Sequence, residues 1–168
     1  MLVLPPDIQA LAEREPVDRA SEADLAMLRG LTALDVRQSY REFISTWGYI
    51  RFDPLDDPCE FTYAYREPGM ATDLRSSISM FMPADKVAQY YHGLVLDVDE
   101  DLPKFPAHML PICFTPGQSH VLLECGGDTD RVWFWEFRGN AWREGAPSLG
   151  FVAETFQDFL NGLRVPAP

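Results

Sequence analysis

Long apolar runs are missing from this chain, and so are the residue pairings on which most enzymes and metal sites depend. No stretch approaches the roughly 18 consecutive apolar residues that a membrane-spanning helix requires. The start, Met1-Leu2-Val3-Leu4-Pro5-Pro6-Asp7, has no basic residue and meets two prolines. It therefore does not read as a signal peptide, and a cytoplasmic protein is expected. The histidines His92, His108 and His120 lie 16 and 12 residues apart, with no His-x-x-x-His or Cys-x-x-Cys pairing beside them. That spacing argues against zinc. Cys59, Cys113 and Cys125 are an odd number without paired spacing, which suits a reduced compartment and apolar burial.

Catalytic arrangements are equally scarce. Gly126-Gly127 lacks the Lys-Ser/Thr of a phosphate loop, and no serine sits in a Gly-x-Ser-x-Gly context. Asp56 and Asp57 are adjacent in a proline-flanked loop, where neither carboxyl is easily desolvated for acid–base work. His120 and Cys125 fall on opposite faces of one predicted strand. A Cys113–His108 pair has no basic neighbour to lower the thiol pKa, so structural burial is the better reading. No catalytic residue, cofactor or metal is expected, and the chain reads as a non-enzyme.

Basic residues are few as well. Lys and Arg number 14 against 26 Asp and Glu, a net charge of −12. A field of that sign repels nucleic acid and anionic membranes and draws in basic partners. What is abundant is core material: 46% hydrophobic and 12% aromatic residues in 168, enough for one folded domain.

The periodicity predicts an α+β fold, with N-terminal helices packed on a mostly antiparallel sheet and a short C-terminal helix closing it. Ser21-Glu22-Ala23-Asp24 reads as a capping box opening a helix over 22–30, stopped by Gly30. Val36, Tyr40, Phe43, Ile44 and Trp47 mark the buried stripe of a second helix, with Gly48 at its C-terminal cap. Strands are expected over 49–52, 61–65 and 77–82, then two helical turns over 85–92. Strands over 120–125 and 131–137 flank a Gly126-Gly127-Asp128 turn, and Thr155 to Asp158 caps a helix over 156–163. Residues 1–20 read as an N-terminal extension and 21–164 as the core of a single domain.

Two acidic loops and an excess of tryptophan stand out as a partner-binding surface. One loop holds Asp53, Asp56, Asp57 and Glu60; the other holds Asp97, Asp99, Glu100 and Asp101. Trp133, Trp135 and Trp142 would supply aromatic anchors, ringed by charges that speed association. Trp133 and Trp135 share one strand face, so at least one of them is expected in the core.

In order along the chain, these motifs resemble the SUKH superfamily. Leu25–Leu31 followed by Ser39-Tyr40-Arg41-Glu42-Phe43-Ile44 resembles its paired N-terminal helices, and Trp47-Gly48-Tyr49 its glycine after the second helix. Leu110-Pro111-Ile112, Val132-Trp133-Phe134-Trp135 and the Phe156–Leu163 segment resemble its C-terminal third. Leu31-Thr32-Ala33-Leu34 replaces the usual Leu-Pro, and the Asp53–Arg75 segment is idiosyncratic, which is where partner specificity is expected. The resemblance implies a bacterial immunity protein that binds and neutralises a cognate toxin domain, a basic one that targets nucleic acid. Its alternative is a regulatory adaptor without a toxin. Either would be a monomer or weak homodimer.

Overall fold

A computed structural model describes residues 2–13, 18–53, 55–56, 58–97, 104–137 and 149–166. Its helices are α1 (Pro6–Ala12), α2 (Glu22–Thr32), α3 (Gln38–Thr46), α4 (Ala84–Tyr91) and α5 (Phe156–Gly162). Its strands are β1 (Ile50–Arg51), β2 (Cys59–Tyr63), β3 (Leu74–Ile78), β4 (Met80–Phe81), β5 (Met109–Phe114), β6 (His120–Glu124), β7 (Val132–Trp135) and β8 (Leu149–Ala153). The fold is α+β. Six strands form one antiparallel sheet in the order β1-β4-β5-β6-β7-β8, and β2 and β3 form a separate hairpin.

The side-chain N-caps fall where the sequence places them, and that of α2 is a full capping box. The Ser21 hydroxyl accepts from the Asp24 amide at 3.2 Å, and the Asp24 carboxylate accepts from the Ser21 amide at 2.7 Å. Thr155 accepts from the Asp158 amide at 3.0 Å. Gly30, however, does not stop α2, which runs to Thr32 and ends at Ala33 in the left-handed region, φ 51°. A glycine inside a helix costs only about 1 kcal/mol, and burying Leu28 and Thr32 on this helix exceeds that.

Register divides the large sheet into two faces. Phe81, Cys113, Val121, Phe134 and Gly150 are successive partners across it and share one face. Here α3 and α5 pack, with Phe43 4.8 Å from Phe81 and Phe156 5.4 Å from both Tyr40 and Phe43. The β2–β3 hairpin closes the same core. Phe61 and Tyr63 lie 5.3 and 4.7 Å from Phe134, and Ala64 exchanges two backbone hydrogen bonds with Phe151 of β8. Leu4, Ile8 and Leu11, on and just before α1, are buried in the core as well.

Gly150 sits directly beneath Tyr63. A Cβ added there would overlap the tyrosine ring at Cδ2 and press on Cγ at 3.3 Å. Gly150→Ala should therefore cost about 2 kcal/mol by overpacking, whereas Gly162→Ala, with nothing within 4 Å of its Cβ, should stay close to neutral. Urea midpoints for the two variants check this; equal midpoints would rule out the Tyr63 contact as the constraint.

The helix α1 lies in residues read as an extension, and three strand assignments also differ from the sequence-based expectation. The single strand expected over 77–82 is two, broken at Ser79. Up to Ile78 the chain pairs with β2; beyond it, the chain pairs with β1 and β5. The Ser79 amide already bonds to Phe114 and its carbonyl accepts from Phe52. Met109–Phe114 is a central strand despite Pro111, which the register shift between Pro111 and Cys113 accommodates. Leu149–Ala153 is the edge strand β8, where the sequence suggested only an approach to the last helix.

Candidate functional site

The opposite face of the sheet carries Met80, Phe114, His120, Trp135 and Leu149 in one row. α4 and the following π-helical turn His92–Leu96 lie beside it. Tyr90 approaches Phe114 at 6.1 Å and His120 at 5.1 Å, and Phe105 packs between His120 and Trp135 at 5.3 and 4.9 Å. Trp135 is accordingly a core residue, 5% exposed, and its ring is covered by Phe105 and Phe137. Trp133 is half-buried on the same face. Its indole donates to Glu124 at 3.0 Å, and Arg66 lies over Phe151 at 3.6 Å and over Trp133 at 5.5 Å.

Of the acidic residues in the two loops, Asp53, Asp56, Glu60 and Asp97 are described. The Phe52 amide bonds to Ser79, in the row where the Ser79 amide bonds to Phe114, so Asp53 emerges beside the β5–β6 turn. Asp53 is tied into its own turn, where its carboxylate accepts from the amides of Leu55 at 2.8 Å and Asp56 at 3.2 Å. Those bonds hold its pKa below the ordinary carboxylate value. Asp97 ends the π turn, and the Leu94 carbonyl of that turn accepts from Phe105, which packs against His120 and Trp135. Asp57, Asp99, Glu100, Asp101 and Trp142 lie outside the described residues.

The ion pairs among the described residues gather at one end of the sheet. At the β6–β7 hairpin, Arg37 stands 3.7 Å from Asp128, and Ser39 donates to Asp130 at 2.8 Å. Nearby, Glu154 accepts from Arg66 at 2.8 Å and Arg131 at 3.1 Å, which holds its pKa down. Among the described residues, neither Asp56 nor Asp97 makes an ion pair. Carboxylates without a cation keep their field in solvent.

The thiols do not resemble nucleophiles. Burial pushes Cys59 and Cys125 up to about 12, and Cys113 is raised well above its ordinary value by complete burial. His108 meets Cys125 only through its backbone carbonyl, which accepts the Cys125 amide at 2.8 Å.

Two features escape the sequence reading. A cleft of about 840 Å³ runs between β4 and α4, walled by Tyr49, Met80, Met82, Tyr90, Leu94 and Phe114. These residues come from five separate stretches, so no local pattern announces the cleft. The other is Leu55, 89% exposed beside Asp56. An apolar residue inside an acidic, proline-flanked loop is the signal that could have marked it.

The described residues form an α+β domain with an apolar cleft, buried thiols and ion pairs gathered at one end of its sheet. The model of the SMI1 / KNR4 family (SUKH-1) matches residues 19–162, and the chain belongs to that family. Membership makes this an immunity-type or regulatory domain, a class that works through protein–protein contact. Comparison with curated proteins and with solved structures found no significant match. Among the described residues no helix is long and apolar enough to cross a membrane.

Proposed function

We propose that this chain is a non-enzymatic immunity protein that neutralises a cognate toxin domain in the cytoplasm. The toxin presents a basic surface, of the kind an enzyme acting on nucleic acid needs. The observation that carries this reading is the uneven compensation of charge. The ion pairs among the described residues lie at the hairpin end, whereas exposed Asp56 and Asp97 make none, on a chain of net charge −12. Unpaired rim charges act mainly on association rate and salt sensitivity. The sequence reading adds Asp57, Asp99, Glu100, Asp101 and Trp142 to this surface, and they lie outside the described residues. Trp133 stands at the hairpin end, bonded to Glu124.

The test is rescue. The C-terminal domain of the polypeptide encoded immediately upstream is expressed with and without this protein, and surviving cells are counted. Survival should return, and the two proteins should co-purify at low salt. The double variant Asp56→Lys/Asp97→Lys should slow association by about tenfold or more at low salt. Its salt dependence should be flatter, because fewer attracting charges remain to be screened. Both residues are exposed and Asp97 offers only its backbone to the fold, so stability should not change. An unchanged association rate would place the interface elsewhere. A harmless neighbour would favour the regulatory adaptor instead.

A further inference from the structure

We propose that the cleft beside α4 is the docking site for a second copy of this chain, which seats Leu55 in it. The cleft is walled by two tyrosines, two methionines, Leu94 and Phe114, the residue types that hold an apolar anchor. None of its described lining residues carries a carboxylate, on a chain with 26 of them. Its lining does include the Lys86 ammonium and the His92 imidazole. Arg51, exposed on β1 and in register with Met80, adds a second cation nearby. The occupant that matches is an apolar side chain flanked by carboxylates.

This chain presents such a group. Leu55 is 89% exposed, the highest value among its exposed large hydrophobics. The Asp53 carboxylate bonds the Leu55 and Asp56 amides, so the turn holds the leucine outward at little entropic cost on binding. Asp53 and Asp56 supply the flanking charges for Lys86 and Arg51.

Topology favours a symmetric exchange. β1 is an edge strand of the six-stranded sheet, and it runs from Tyr49, in the cleft wall, toward Asp53, at the turn. A twofold axis running beside the middle of β1 sets the partner copy's β1 antiparallel to it. Each copy's turn then lies at the Tyr49 end of the other, across about 13 Å of extended chain. The contact is isologous and closes at two copies. Because Asp53 and Asp56 also belong to the surface proposed for the toxin, toxin and second copy compete for the same turn. The pairing itself does not depend on that proposal.

Sedimentation velocity of the purified chain over a range of concentrations reads the outcome. The wild type should pass from monomer to dimer as concentration rises. Leu55→Glu should weaken the dimer at least about tenfold, as loss of a central anchor does. Leu55 is 89% exposed, so the substitution should leave the melting curve unchanged, and that curve is recorded alongside. Lys86→Asp should also weaken the dimer, and combining it with Asp56→Lys should restore association by exchanging the charges. A chain that stays monomeric at every concentration overturns the proposal, as does a dimer indifferent to Leu55→Glu. If the chain is monomeric and Met80→Glu abolishes toxin rescue while Leu55→Glu does not, the cleft belongs to the toxin and the proposal is equally overturned.

Discussion

Gly48→Ala should lower the thermal midpoint by about 10 °C, more than any surface change in this chain. Gly48 follows the C-cap of α3, and its amide points back to the Phe43 carbonyl. Its φ of 65° lies in the left-handed region, where an L side chain costs about 1 kcal/mol or more. The larger difficulty is space. A Cβ at this position would overlap the Asp18 carbonyl oxygen and press on Arg19 Cα at 3.1 Å. Both are backbone atoms of the segment that enters α2, and that segment is anchored by the Ala20 amide donating to the Ile44 carbonyl at 2.9 Å. The alanine can be accommodated only if the 18–20 segment moves off α3. Strain and displacement together should cost about 3 kcal/mol, which for a chain of this length is the shift named above. Differential scanning calorimetry measures it directly. A midpoint within 2–3 °C of wild type, roughly the effect of 1 kcal/mol, would mean that the segment yields freely.

The second large effect is acid sensitivity centred on His120. The imidazole is 3% exposed and surrounded by Tyr90, Phe105 and Phe114 at 5.1 to 5.3 Å, with Trp135 at 6.4 Å. Neither ring nitrogen makes a hydrogen bond of full geometry. Burial pulls its pKa from 6.5 to about 4, with the Gln118 backbone acting weakly the other way. In the unfolded chain the imidazole takes up a proton below pH 6.5; in the folded chain it resists until about pH 4. Between those values the unfolded state binds more protons, so stability rises with pH and falls on acidification. The full window is worth about 3 kcal/mol, and above pH 6.5 the contribution is constant. His120→Phe should abolish this component and be neutral or stabilising at pH 7, because it removes two unsatisfied polar atoms from an aromatic cage. Urea midpoints at pH 7 and pH 4.5 for both proteins decide the matter. Parallel losses in wild type and variant would show that His120 is not the acid-sensitive group.

Helices α2, α3 and α5 were the most legible part of the fold. The stripe Tyr40, Phe43 and Ile44 and the Ser21 and Thr155 N-caps act over three or four residues, and local geometry decides them. Val36 lies ahead of α3, and α1 falls in residues read as an extension. The β6–β7 hairpin was legible for the same reason, since Gly126-Gly127 ends one alternating run and begins another. The strand with Pro111 was not. A proline is admitted there only because a register shift, set by pairing with β6, removes the need for its amide. The break at Ser79 depends likewise on two different strands competing for one stretch of chain.

The candidate site divides along the same line. Sequence alone determined that the chain is strongly acidic, that its thiols lack activating neighbours, and that one of Trp133 and Trp135 had to be buried. Only the tertiary structure decided that Trp135 is the buried one, which carboxylates are neutralised and where the cleft lies. Arg66 reaches Glu154 across 88 positions of sequence, and Ser39 reaches Asp130 across 91. Hydrophobic period and capping report how one element meets water and its own backbone. Charge pairing and concavity are properties of elements brought together, and folding alone determines which elements those are.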